Sequence, residues 1–283
     1  MSTPEAPAGE RSLLLGSVRN AARVLRAFSG AGQELGVSEL SRALGLGKST
    51  THRLLSTLAH ERLLEQDPQT GRYRLGLALY ELGATVTEHV DLHEAALPVL
   101  TSLRHTTGEM VHVAVLDGLE VVYVERLESH HMLPVFRKVG HRLPAHQTSS
   151  GKVLLAALPR DQLLGRLTGV VLARRTERTI TGHDRLLREL DEVAARGWAI
   201  NDEEGHPGVV SVGAPLRGPD GTVIAAVSVV GATQRMQPAM RRYTTVLIES
   251  ARVISRRLGY RPLAPATRRP SSPVPSHGGE DER

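Results

Sequence analysis

Apolar residues recur along this chain first at helical spacing and later at strand spacing. Val18, Ala21, Ala22, Leu25 and Phe28 fall three or four apart behind Ser17, a residue suited to an N-cap, and Gly30 and Gly32 end the run. Ser38 can cap a second helix, with Leu40 and Leu44 facing inward and Gly45 as its stop. A third runs from near Gly47 to about Glu61, with Leu54, Leu55 and Leu58 as its buried stripe. LLEQD and RYRL then flank Pro68, Gln69, Thr70 and Gly71, a composition suited to a tight reversal between two strands. Helix, turn, helix and hairpin in that order predict a winged helix-turn-helix.

Two further helices are predicted, from Leu75 to His89 with Leu79, Leu82 and Val86 on one side, and from Asp91 to His105 with Leu92, Ala96, Val99, Leu100 and Leu103. From Met110 the period becomes two. Val111, Val113 and Val115 alternate, Asp117-Gly118 turns, and Val122, Val124 and Arg126 continue the second strand. Gly151 to Leu158 and Asp184 to Ala195 read as helices, Trp198 to Ile200, Val209 to Leu216 and Thr222 to Val230 as strands, and Met236 to Leu258 as a long closing helix. Gly218-Pro219-Asp220-Gly221 joins the last two strands, so hairpin-length connections predict an α+β domain with an antiparallel sheet. No internal repeat is present.

Residues 1–16 and 261–283 show no sustained period, and the second stretch holds five prolines, so both are expected to be disordered ends. The expected domains are then 17–76 for the winged helix, 77–90 for a linking helix and 91–260 for the larger domain. Charge separates them. Between Ser17 and Gly76 nine Lys/Arg stand against five Asp/Glu, whereas between Leu77 and Tyr260 the count is 21 against 20. Polyanion binding therefore belongs to the small domain. The absence of cysteine excludes disulfides and thiolate chemistry and fits a reducing compartment. No apolar run approaches the ~20 residues that cross a bilayer, and the first residues lack the order of a secretory signal, so a cytoplasmic protein with no membrane partner is expected.

A recognition helix needs small polar residues at its tip to approach base edges and a cation to fix register on phosphate. Lys48, Ser49 and Thr50 meet that need, and Ser49, His52 and Arg53 share one face opposite the leucines. Arg72 and Arg74 flank the hairpin turn, where they can reach phosphate or an adjacent minor groove. Double-stranded DNA is the expected partner.

In the larger domain, Thr148-Ser149-Ser150-Gly151 opens an apolar helix. Free amides, hydroxyls and a glycine that permits close approach suit an anion or a carboxylate, although plain N-capping accounts for the same residues. His130-His131 with His141 and His146 make a poor metal site, because adjacent strand residues point to opposite faces. Asp202, Glu203 and Glu204 read better as a solvated turn than as acid/base groups. Catalysis, metal and cofactor are not expected.

The succession SVRNAARVLRAF, LSRALGLGKSTTHRLLSTL and DPQTGRYRLG resembles the IclR family of bacterial transcriptional regulators. The resemblance continues through VHVAVLDGLEVVYVERLES, HQTSSGKVLLA, WAINDEEGHPGV, APLRGPDG and VSVVG, and covers residues 17 to 260. It implies a winged helix domain, a linker helix and a GAF-like effector-binding domain, assembled as homodimers or homotetramers, with repression the favoured direction of control. It also implies that a small-molecule effector, of the organic-acid kind, is met by Ser149 and Ser150, by Met132 and Val135, and by Asn201, Ser211, Ser228 and Val230. Asn201, Ser211 and Val230 stand where the small-acid pattern has Asp, Cys and Ser, which removes one charge and one hydroxyl, so the effector need not be a glyoxylate-like acid and its identity stays open. Two rivals predict different behaviour: an enzyme with an incidental helical domain would turn over a substrate, and an effector-independent DNA-binding protein would ignore every metabolite.

Overall fold

Each of the first three helices carries an apolar stripe narrow enough for the other two to cover, and that is what holds them together. The computed structural model describes residues 15–28, 34–88, 92–129, 131 and 140–261. Gly30, Gly32, His130, Met132, Val135, the arm through residue 14 and the tail from residue 262 lie outside the described residues. The chain divides into two compact units between Val90 and Asp91.

In the first unit, α1 (Gly16–Ala27), α2 (Val37–Leu44) and α3 (Lys48–His60) enclose Val24, Phe28, Leu40, Leu55 and Leu58, closed below by Leu64 and Tyr73. Three local expectations are corrected. α1 starts behind Leu15, so Ser17 lies inside it, and Val18 stays 62% exposed because Val24 carries the stripe instead. α2 starts behind Gly36, whose amide donates to Glu39 at 2.9 Å, so Ser38 lies within the helix and does not cap it. On α3, Thr51 is buried and Leu54 only partly so. Gly45, at φ +64°, ends α2 in the left-handed conformation as expected.

After α3 the chain turns through Arg62 at φ +59°, and the Leu63 amide returns to the Leu58 carbonyl at 2.9 Å. This corner feeds β1 (Leu64–Gln66), which pairs antiparallel with β2 (Tyr73–Leu75) to form the wing. Asp67 builds the turn by accepting the Gln69 amide at 2.7 Å and the Thr70 hydroxyl at 2.9 Å. Gly76 follows, and a Cβ there would lie 2.1 Å from the Arg62 carbonyl oxygen, so only glycine fits. α4 (Ala78–Glu88) completes the unit.

The second unit runs α5 (Leu92–Thr107), β3 (Met110–Asp117), β4 (Glu120–Leu127), β5 (Arg142–Pro144), a 3-10 turn (Ala145–Gln147), α6 (Ser149–Ala156), α7 (Arg160–Leu167), α8 (His183–Arg196), β6 (Ala199–Asp202), β7 (Val209–Arg217), β8 (Val223–Ala232) and α9 (Thr233–Arg257). The six strands are antiparallel in the order β5-β4-β3-β8-β7-β6. α5 and α9 pack together on one face, fixed by the paired carboxylate and guanidinium of Glu109 and Arg235 at 2.6 and 2.9 Å. α6 covers the other face, with α7 and α8 packed into the same core.

Helices on both faces bury every residue from Met110 to Ala114, so the alternation in β3 separates two interiors rather than an inside from an outside. β4 departs from simple alternation. His112 pairs with Arg126 and Val113 with Glu125, but Ala114 pairs with Tyr123, which leaves Val124 as an extra residue. The bulge lets Tyr123 and Arg126, three apart, share the α6 face, so the expected alignment of Val122, Val124 and Arg126 does not hold.

Candidate nucleic-acid interface and effector pocket

Lys48, Ser49, Thr50, His52 and Arg53 are all exposed on α3, while Thr51, Leu55 and Leu58 bury the opposite side. Gly47 precedes them, and no side chain caps the helix start. The helix tip therefore offers amides, hydroxyls and two cations together, held outward by the packed face.

The wing arginines are braced. Arg72 lies 2.8 Å from Glu39 and donates to the Glu34 carbonyl at 2.9 Å, and Arg74 lies 2.8 Å from Glu65, its cross-strand partner. Their side chains remain 39% and 57% exposed, so each guanidinium keeps N–H donors for a further acceptor. The Gly36 amide, and then Arg72, hold the Glu39 carboxyl below the usual carboxylate range. Glu39 escaped the sequence reading, although a Glu three residues beyond a helix-opening position is a legible capping signal.

In the second unit, the start of α6 rests on β7. Thr148 is the cap: its hydroxyl accepts the Gly151 amide at 2.9 Å. Ser149 lies 2.8 Å from Ser211, hydroxyl to hydroxyl, which ties helix to strand. Gly151 permits a close approach, but to backbone rather than to a ligand, since a Cβ would lie 2.1 Å from the Ala145 carbonyl oxygen. Ser150 is buried with no partner for its hydroxyl.

Beneath α6, Asn201, Ser211 and Val230 align across β6, β7 and β8, and Ser228 lies one inward position along β8 from Val230. All four are buried, and Asn201 already accepts the Glu204 amide at 2.8 Å. The structure thus brings Ser149, Ser150, Asn201, Ser211, Ser228 and Val230 to one face. The sequence reading missed the two residues that extend this face, His112 and Arg126, because the valines of β3 drew attention to the other side. The His112 ring centroid lies 4.6 Å from that of Tyr123, and burial, followed by the charge of Arg126, holds the imidazole down to about 3.

The acidic run after β6 is dispersed among separate partners. Asp202 pairs with Arg178, Glu203 accepts from Thr233 at 2.9 Å, and Glu204 pairs with the buried Lys152 at 2.8 Å. Lys152 also reaches Glu189 at 3.1 Å. Burial holds the Glu204 carboxyl above the usual range even though Lys152 opposes it. His146 faces the Ala173 carbonyl at 3.2 Å. Among the described residues no group of three His, Asp or Glu converges as a metal cage, and no helix is long and apolar enough to cross a membrane.

A polar helix tip beside a wing, joined in one chain to a helix-covered sheet face bearing buried hydroxyls, is the organisation of a DNA-binding transcriptional regulator that responds to a small molecule. Residues 17–68 match the IclR helix-turn-helix domain, and residues 84–256 match the family described as bacterial transcriptional regulator IclR C-terminal. The chain belongs to the IclR family. It is 35% identical over 248 residues to the HTH-type transcriptional regulator XynR of Escherichia coli, covering 87% of this chain and 98% of that one. It is similar in structure to the Thermotoga maritima IclR, with 30% identity, a TM-score of 0.71 and coverage of 86% and 99%. An IclR homolog from Microbacterium hydrocarbonoxydans, solved in complex with 4-hydroxybenzoate, gives 28% identity, a TM-score of 0.77 and coverage of 86% and 99%. The fold is the expected one: α+β, a winged helix-turn-helix followed by an antiparallel effector-binding domain.

Proposed function

We propose that this protein is a cytoplasmic repressor of genes of small-molecule metabolism, that it binds a two-fold-related operator as a homodimer or homotetramer, and that it catalyses no reaction. The observation that carries the reading is the exposed face of α3, where Lys48, Ser49, Thr50, His52 and Arg53 stand opposite the buried Thr51, Leu55 and Leu58. Those five residues enter the major groove. Arg72 and Arg74 use their unspent N–H donors on flanking phosphate while they brace the wing.

The effector is a small organic acid, and the solved relative's aromatic acid supports that class. It is met by Ser149, Ser150, Asn201, Ser211, Ser228 and Val230. The effector binds the DNA-competent and DNA-incompetent arrangements unequally, a coupling typically worth ~1–3 kcal/mol. α4, which leads out of the DNA-binding unit, is where the two arrangements differ.

The test is fluorescence anisotropy against the gene's own upstream region, across salt and with a metabolite panel. Arg53→Ala weakens binding several-fold and narrows the preference for the operator over unrelated DNA, as the loss of one major-groove contact requires. Ser150→Phe removes the effector response. Unchanged affinity in the first variant would place DNA on another face of α3, and a retained response in the second would remove the start of α6 from the pocket.

A further inference from the structure

The effector face contains a cation that the hydroxyl pattern does not explain. The bulge at Val124 sets Arg126 opposite His112, and the same row continues through Ser228 on β8 to Gly213 on β7. Gly213 lies directly under the start of α6: a Cβ there would come within 2.9 Å of the Ser149 carbonyl carbon and 3.0 Å of the Ser150 nitrogen. One row across four strands therefore joins the helix start to Arg126, about 14 Å at the usual strand spacing.

Both ends of this row carry unspent polar groups. The Arg126 side chain is 8% exposed and its Nε has no hydrogen-bond partner. Its ion-pair partner Glu128, at 3.2 Å, is 74% exposed and so faces water. At the other end Ser150 is 1% exposed with an unpartnered hydroxyl. Between them lie Ser228 and a neutral His112, neither of which can offset a positive charge. A buried guanidinium with an open N–H edge is costly to hold. A carboxylate removes that cost best, because its two oxygens match the planar fork and its charge cancels the cation.

We propose that Arg126 is the anion anchor of the effector pocket, taking the carboxylate of a small organic acid on its Nε edge while a polar group of the same acid reaches Ser150. The inference rests on the reading of this face as the effector pocket. It adds the residue that makes charge, rather than shape alone, the basis of selection.

The experiment uses the full-length protein with pyruvate, benzoate and 4-hydroxybenzoate at millimolar concentration, beside the neutral benzamide and 4-hydroxybenzamide. Melting temperature and operator affinity are both read. At least one acid raises the melting temperature and changes operator affinity, and the amides do neither. Arg126→Gln loses the acid response by about tenfold or more in apparent Kd, one charge-assisted bond's worth. Arg126→Lys restores part of it, and Glu128→Gln tightens acid binding by releasing the guanidinium. Should Arg126→Gln fail to fold, the acid–amide contrast and Glu128→Gln decide the matter. Amides as effective as acids, an unchanged Arg126→Gln, or no response to any acid each overturn the anchor. If Ser150→Phe still abolishes an amide response, the pocket stands without it; an acid response that survives Ser150→Phe takes down the pocket reading instead.

Discussion

Arg72 and Glu39 lie 2.8 Å apart across the wing and α2, and the carboxylate oxygen that meets the guanidinium is the same one that accepts the Gly36 amide. One oxygen thus closes the start of α2 and anchors the wing. Arg72 also holds the Glu34 carbonyl, one residue before Leu35, whose amide and carbonyl exchange hydrogen bonds with Tyr73 at 2.9 Å.

Arg72→Ala is therefore expected to loosen the wing as well as remove a cation. DNA affinity falls several-fold, and amide exchange at Leu35 and Tyr73 accelerates. Arg72→Lys rescues part of both effects, because the Glu34 carbonyl and Glu39 are met by one nitrogen, Nη2, and an ammonium also offers several N–H donors from one atom. Unaltered exchange at those two amides in Arg72→Ala would show that the wing is held by other means.

His112 gives the effector domain an acid-labile step. Its ordinary value is 6.5 and burial takes it to about 3, so the folded chain refuses a proton that the unfolded chain accepts. The contribution is complete above pH 6.5 and is lost as pH falls from 6.5 toward 3, by up to about 5 kcal/mol. Urea midpoints measured across that window should decline steeply for the wild type and much less for His112→Gln. Parallel declines in the two proteins would assign the acid sensitivity elsewhere.

Lys152 is 1% exposed and sits between Glu204 and Glu189 at 2.8 and 3.1 Å. Lys152→Met strands the Glu204 carboxylate, whereas Glu189 keeps Arg196 at 3.2 Å. The loss should be about 3–5 kcal/mol, and Lys152→Met combined with Glu204→Met should recover much of it. Chemical denaturation of the three proteins checks this. Additive losses in the double variant would mean that the pair does not act as a unit.

Arg62 occupies the left-handed conformation that glycine adopts without strain. Arg62→Gly should raise the stability of the DNA-binding unit by about 0.5–1 kcal/mol, the strain relieved less the added freedom of the unfolded chain. A thermal transition that fails to rise would mean that neighbours already compensate the strain.

The winged helix was legible because its helices are amphipathic, its turns carry Pro and Gly, and its stop at Gly45 demands a left-handed residue. Helix starts were less so. Ser17 and Ser38 are good caps by composition, but backbone entry at Leu15 and Gly36 decided the matter. β5 and the 3-10 turn, three residues each, are too short for periodicity to register. The contact of Ser149 with Ser211 spans 62 positions, and no local pattern encodes it. Arg126 needed a still finer feature, the single extra residue at Val124 that turns it inward.

Among the described residues, one border of the sheet is β6, only four residues long. So little unpaired backbone is a poor template for another strand. On that side, copies of this domain crowded together have almost no ribbon to extend, which guards a valine-rich interior against fibrous growth.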